Sequence, residues 1–241
     1  MKAYAVTDTG IRRTMNQDAF LCSEEPVGIL PNCFIVADGM GGHNAGDIAS
    51  KTVVDSFITH MRTSSQRTPI QAIEESIKLS NEELIAKSMN MKELEGMGTT
   101  FVLASVDEEN NLLVANIGDS RLYLIDDESV RQITRDHSLV AEMVRNGEIK
   151  KEEARFHPQK NVVLRAISTR NVVSPDFYRV RVKPGSYCLL CSDGLSDMLD
   201  ESEMLKIVNE YEEVSDIAEK MIVLANENGG KDNITLILIK V

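Results

Sequence analysis

An α+β fold is what this sequence predicts, and three observations carry the expectation. Short apolar runs bounded by Gly, Pro and Asx turns open the chain, return in its middle and close it, as strands do. Longer stretches with apolar residues at helical spacing separate them, two in the first half and two near the end. No linker, internal repeat or low-complexity segment breaks the 241 residues, so a single domain over 1–241 is expected. Strands, helices, strands, helices and a last strand, in that order, fit two mainly antiparallel sheets packed face to face and flanked by helices. That is a four-layer α-β-β-α sandwich.

The opening strands are 3–7, 19–22 and 34–37, separated by polar turns that contain Gly or Pro. A helix follows over about 45–61, where Ile48, Val53, Val54, Phe57, Ile58 and Met61 recur near helical spacing. A second covers 69–89 with Ile70, Ile73, Ile77, Leu84 and Ile85 on one face. Thr68 before Pro69 reads as its N-cap, followed by an N1 proline. Strands 100–106, 112–117 and 121–125 form a meander, and the turn at 108–111 joins the first two. The stretch 136–174 is polar and irregular, with a short helical piece at 139–145. Strands 178–182 and 187–191, helices near 203–211 and 214–226, and strand 234–239 complete the pattern.

Composition bounds the function. Hydrophobic residues make up 42% and charged residues 27%, ordinary values that allow a sizeable core. The net charge is -12, from 26 Lys+Arg against 38 Asp+Glu. That balance repels phosphate backbones and anionic lipid, so neither a nucleic-acid nor a membrane partner is expected. The N-terminus lacks a signal-peptide apolar core and no stretch reaches a membrane span, so a cytoplasmic location is expected. Cys188 and Cys191 form a C-x-x-C, but residues three apart on a strand face opposite ways. With Cys22 and Cys33 they read as buried free thiols.

The chemistry sits at strand ends. Asp38-Gly39-Met40-Gly41-Gly42-His43 follows the apolar run 33–37, Ser192-Asp193-Gly194 follows 187–191, and Lys231-Asp232-Asn233 precedes the last strand. Three distant strands each bring an aspartate to a tip, which is how one site is assembled for a hard cation. Asp18 and Asp119 are further acids at such positions. Magnesium and manganese prefer oxygen ligands, and no His-x-x-x-His or Cys cluster competes for a softer metal. Glycine beside Asp38 permits a tight turn and lets the Gly39 carbonyl come within ligand range. Arg13, just ahead of Asn16-Gln17-Asp18, is suited to grip a phosphate through its fork of donors. Metal ions plus arginine point to phosphoryl hydrolysis.

Taken singly, each of these aspartates reads equally well as a helix or turn cap. Asp119-Ser120-Arg121 also fits a hairpin turn with a local Asp–Arg pair, and with Arg12 beside Arg13 either arginine reads as a plain surface charge, motif spacing favouring Arg13. His43 reads as a helix-entry or structural group, and His137 as a tie at the base of the 136–174 stretch.

Six motifs in order settle these choices by resemblance: Arg13-x-x-Asn16-Gln17-Asp18, Asp38 to His43, Gly98-Thr99-Thr100, Asn116-Ile117-Gly118-Asp119-Ser120-Arg121, Ser192-Asp193-Gly194 and Lys231-Asp232-Asn233-Ile234-Thr235. They resemble those of the metal-dependent protein serine/threonine phosphatases, the PPM or type 2C family, in its compact bacterial form. The resemblance implies a β-sandwich with two Mn²⁺ or Mg²⁺ ions at one edge and hydrolysis of phosphoserine and phosphothreonine by direct attack of metal-activated water. By resemblance Asp38 bridges both ions, the Gly39 carbonyl binds one, and Asp193 and Asp232 bind the other. Asp119 with Asp193 matches a third-metal position, Arg13 the phosphate-binding arginine, and Asp18 the acid that orders metal-bound waters. The stretch 136–174 matches a flap beside the site. The partners implied are phosphoprotein substrates and a cognate serine/threonine kinase.

Two positions depart from the pattern. Met40 stands where many members carry a histidine proposed to protonate the leaving oxygen, which leaves the general acid unassigned, with a metal-bound water as a candidate. Gln17 stands where others often have Glu, which removes a negative charge near the metals and leads us to expect weak, millimolar metal binding. A catalytically idle relative is the alternative from another class, and its usual mark, a missing metal aspartate, is absent. A phosphatase narrowed to one anti-anti-sigma-type regulator is the third reading.

Overall fold

The computed structural model describes residues 1–42, 45–89, 91–168 and 174–241. Its first strands are β1 (Lys2–Asp8), β2 (Asp18–Ser23) and β3 (Cys33–Met40), followed by helices α1 (Ala45–Thr63) and α2 (Pro69–Met89). Then come β4 (Gly98–Thr99), β5 (Phe101–Val106), β6 (Asn111–Ile117), β7 (Arg121–Ile125) and β8 (Val130–Gln132). Short helices α3 (Leu139–Arg145) and α4 (Lys151–Ala154) precede β9 (Ile167–Ser168), β10 (Asp176–Arg181) and β11 (Tyr187–Cys191). Helices α5 (Asp193–Ser196), α6 (Glu201–Glu210) and α7 (Val214–Glu227) lead to β12 (Ile234–Lys240).

Two sheets result, both antiparallel throughout. One has five strands in the order β1-β12-β11-β7-β8; the other has seven, β10-β6-β5-β3-β4-β9 with β2 also on β3. Side chains alternate between faces, and every central strand therefore feeds two apolar layers. In β3, Phe34 and Val36 enter the layer between the sheets, while Cys33, Ile35 and Ala37 pack under α1 and α2. In β12, Ile237 and Ile239 face the other sheet, while Ile234, Leu236 and Leu238 face α6 and α7. Three apolar layers between four structural ones give the α-β-β-α sandwich.

The same alternation separates the C-x-x-C thiols. Cys188 lies between the sheets and Cys191 under the helices. All four cysteines are free, and Cys22 is only half buried.

Local chemistry sets the element ends. Thr68 caps α2 by accepting from the Gln71 amide at 3.3 Å. The β5–β6 turn closes with Asn110 at φ 62°, a left-handed conformation that asparagine tolerates. Helix α6 starts at Glu201, two residues before the sequence expectation, because Asp200 and Glu203 form a reciprocal capping box. Strands β4, β8 and β9 and helices α4 and α5 are additions of two to four residues, too short to carry a hydrophobic period. No helix among the described residues is long and apolar enough to cross a membrane.

Candidate metal centre

Sheet register builds the first half of the site. Pairing of β2 with β3 sets Asp18 directly opposite Asp38. The Asp38 main chain is pinned on its other side: its N–H donates to Thr100 Oγ1 at 2.9 Å, and its carbonyl accepts from Thr99 Oγ1 at 2.9 Å and the Thr100 amide at 2.9 Å. Gly98-Thr99-Thr100 thus works as a clamp on the strand that presents Asp38. Gly39 is required sterically, since a Cβ there would lie 2.0 Å from the Gly46 carbonyl oxygen in the first turn of α1. Its own N–H donates to the Gln17 carbonyl at 3.1 Å.

The second half comes from β11, α5 and the entry to β12. Ser192 Oγ donates to Asp18 Oδ2 at 2.9 Å and accepts from the Thr235 amide at 3.0 Å. A Cβ on Gly194 would sit 2.0 Å from the Asn233 carbonyl oxygen, so the Asp193 and Asp232 loops touch only because residue 194 is bare. Asn233 ties the loop at 9–17 to β12. Its Oδ1 accepts from the Gln17 amide at 2.9 Å, and its Nδ2 donates to the carbonyls of Thr9 and Met15 at 2.9 and 2.8 Å. Sequence reasoning quoted this asparagine without giving it a role. Its signal was its place between Asp232 and the last strand.

Arg13 Nη2 donates to Asp232 Oδ2 at 2.7 Å, with the guanidinium half exposed. Of the two adjacent arginines, Arg13 therefore faces the carboxylates, while the Arg12 amide bonds the Gly230 carbonyl. Asp119 follows β6 through Gly118, whose φ is +105° and whose Cβ would lie 2.7 Å from Thr100 Cβ. The local Asp119–Arg121 pair is not made. Arg121 instead forks onto Asp136, Nη2 to Oδ2 at 2.7 Å and Nε to Oδ1 at 3.1 Å.

Burial and mutual repulsion mark the cluster. Burial pushes Asp18 up to about 6 against the hydroxyls of Thr235 and Ser192, which pull it down. Asp119 rises to about 6 through burial and then the charge of Asp136. Asp38 is pushed well above the carboxylate range by burial, then by Asp18, Asp193, Asp119 and Asp232. Asp193 is raised likewise by burial, then by Asp119, Asp197, Asp232 and Asp18. The charges of Asp18, Asp119 and Asp232 bear on both Asp38 and Asp193, so five distant positions meet in one field.

The residues fit a pair of hard cations. Asp18 Oδ1 and Asp193 Oδ1 are buried with no hydrogen-bond partner, a costly state that a cation or its waters would relieve. The Asp carboxylates and the Gly39 carbonyl offer oxygen donors, which such cations prefer. No three His, Cys, Asp or Glu side chains among the described residues close as a ligand set around one point.

The profile of the protein phosphatase 2C family matches residues 11–235. This chain belongs to that family. It is 41% identical to the serine/threonine phosphatase stp of Listeria monocytogenes over 86% of this chain and 83% of the relative. It is 39% identical to protein phosphatase PhpP of Streptococcus pneumoniae over 99% and 97%. A bacterial serine phosphatase crystal structure superposes with a TM-score of 0.90 at 36% identity, covering 99% of this chain and 96% of that one. The catalytic domain of the phosphatase PstP, solved in complex with two manganese ions, gives 0.85 at 32% identity, covering 98% and 96%.

Around this protein phosphatase 2C centre the stretch 136–174 carries α3, α4 and β9. Residues 169–173 lie outside the described residues, as does His43. The stretch reaches the acids through Asp197, at the end of α5. Lys160 pairs with its carboxylate, and Arg155 donates to its carbonyl from Nε and Nη2 at 2.9 and 2.6 Å. Sequence reasoning missed Asp197. Its signal was the four-residue spacing from Asp193, one helical turn further on.

Proposed function

We infer that this protein phosphatase 2C member is a metal-dependent protein serine/threonine phosphatase, working at the acidic edge formed by Asp38, Asp193, Asp232, Asp119 and Asp18. The observation that carries the reading is the pair of buried, unpartnered carboxylate oxygens in a field of mutually repelling aspartates beside Arg13. Asp38 and the Gly39 carbonyl would hold one of two Mn²⁺ or Mg²⁺ ions, with Asp38 shared, and Asp193 and Asp232 the other; Asp119 with Asp193 would hold a third. When bound, these ions supply an activated water and neutralise charge on the phosphoryl group.

The chain's own residues do the rest. Arg13 would exchange part of its bond to Asp232 for the substrate phosphate, orienting it with two parallel N–H donors. Asp18, fixed by Ser192, keeps Oδ1 free to accept from water at the site. Met40 has no dissociable proton, so the leaving serine or threonine oxygen takes its proton from water. A protein that opposes a serine/threonine kinase in the cytoplasm, acting over 1–241 as one domain, is the setting this reading supports.

The test is p-nitrophenyl phosphate turnover with Mn²⁺ in wild type, Asp38→Asn and Asp193→Asn. Turnover in the wild type alone is expected. Equal rates in all three would end the reading.

A further inference from the structure

The segment that follows β8 meets Gly118, the neighbour of Asp119, through a buried imidazole. His137 is 6% exposed. The Gly118 amide donates to its Nδ1 at 3.0 Å, and the His137 amide donates back to the Gly118 carbonyl at 3.0 Å. A backbone N–H can only donate, so Nδ1 carries no proton and the ring proton is on Nε2. With the proton there, Nε2 donates to Asp176 Oδ2, 3.1 Å away on β10, and Arg165 Nη1 lies 3.0 Å from the same nitrogen. Arg165 Nη1 donates to the second oxygen of the same carboxylate at 2.9 Å, and its Nη2 reaches the Ser174 carbonyl. The His137 carbonyl accepts from the Leu164 amide at 2.7 Å.

The imidazole therefore joins two things that are far apart in sequence. On one side is Gly118, held at φ +105° and unable to bear a Cβ beside Thr100, with Asp119 next to it. On the other are Asp176, Leu164 and Arg165, where the stretch 136–174 returns to the sheet. We propose that His137 is a positioning residue for Asp119. Its Nδ1 fixes the Gly118–Asp119 turn, and its Nε2–H ties that turn to the root of the flap through Asp176. The proposal rests on Asp119 serving the metal centre.

Two substitutions separate the two halves of the ring. His137→Asn keeps an acceptor near the Nδ1 position and loses the reach to Asp176; His137→Gln keeps a donor near Nε2 and loses the acceptor for Gly118. Phosphopeptide turnover is measured against Mn²⁺ concentration for wild type, both variants, Asp119→Asn and the Asp119→Asn/His137→Gln double variant, with a thermal melt of each. His137→Gln is expected to lower kcat and raise half-saturating Mn²⁺ by about 10–100-fold, at a KM within about 2-fold of wild type. His137→Asn is expected to retain most of kcat. In the Asp119→Asn background His137→Gln is expected to add nothing, since the residue it positions is gone. Undiminished loss in that background, or a loss in both variants that simply follows melting temperature, would make His137 a packing group only and overturn the proposal. Asp119→Asn with wild-type turnover and metal dependence would instead remove the role of Asp119, and the positioning role with it.

Discussion

Asp107 and Asp126 stand at one end of this sandwich, Asp38 and Asp193 at the other. Asp107 accepts from the amides of Glu109 and Asn111 at 3.0 and 2.8 Å and from the Asn111 side chain. Asp126 accepts from the amides of Glu128 and Ser129 at 3.1 and 2.8 Å. Slight burial of Asp107 is outweighed by these donors, and both groups sit below the usual carboxylate range. Asp38 and Asp193 are raised instead, by burial first and by other aspartates second. The difference is one of donors: a turn aspartate is satisfied by its own backbone, and a site aspartate is left wanting positive charge.

The largest break in this comparison comes from neutralising the site end. Asp38→Asn or Asp193→Asn should lower Mn²⁺-dependent kcat on a phosphopeptide by more than about 10³-fold. In EDTA the same Asp193→Asn protein should melt above wild type, because an amide relieves the repulsion that burial enforces. A wild type that melts higher under EDTA would show that the two ends do not differ.

Proton linkage gives the next effect. The folded-state pKa values of Asp18 and Asp119 are raised from 3.8 to about 6. Their contribution to stability is therefore present below about pH 4 and is lost as pH rises through 6. Metal competes with those protons, so the rise in melting temperature on adding Mn²⁺ should be greater at pH 7.5 than at pH 5. Calorimetry that finds equal shifts would remove the carboxylates as the binding groups.

At the turn end, Asp107→Ala loses exposed hydrogen bonds. It should cost about 1 kcal/mol, or about 2–4 °C in melting temperature, with kcat unchanged. A fall in kcat would tie the distal turn to the chemistry. Gln17→Glu is the mildest probe, adding a charge next to the site from a residue whose backbone already bonds Asn233. It should lower half-saturating Mn²⁺ by about 3-fold, less than 1 kcal/mol; weaker binding would mean the added charge does not face the ions.

Much of the fold was legible because long elements announce themselves. Helix α2 (Pro69–Met89) carries a cap, an N1 proline and 21 residues of period, and β12 (Ile234–Lys240) is apolar without a break from Leu236 to Ile239. The clamp strand β4 (Gly98–Thr99) has two residues and no period at all, so only its pairing with Met40 and Gly39 reveals it. At the site, Asp38, Asp119 and Asp193 stood out through the glycines beside them. The Arg121–Asp136 fork was not, because Asp119 lies nearer in sequence and tertiary contact overrode that proximity.

Sequence alone determined which residue types stand where: aspartates at the strand ends, at Asp38, Asp193 and Asp232, and an arginine, Arg13, just ahead of Asp18. It also fixed which faces are apolar, through periods of two and 3.6 that need no knowledge of neighbours. Tertiary structure decided what those residues do to one another. The register placing Asp18 across from Asp38, the bare Gly194 that lets Asp193 meet Asp232 and the imidazole spanning Gly118 and Asp176 all join residues far apart in the chain. Electrostatic repulsion and hydrogen bonding act through space, and that distance exists only once the sheets have stacked.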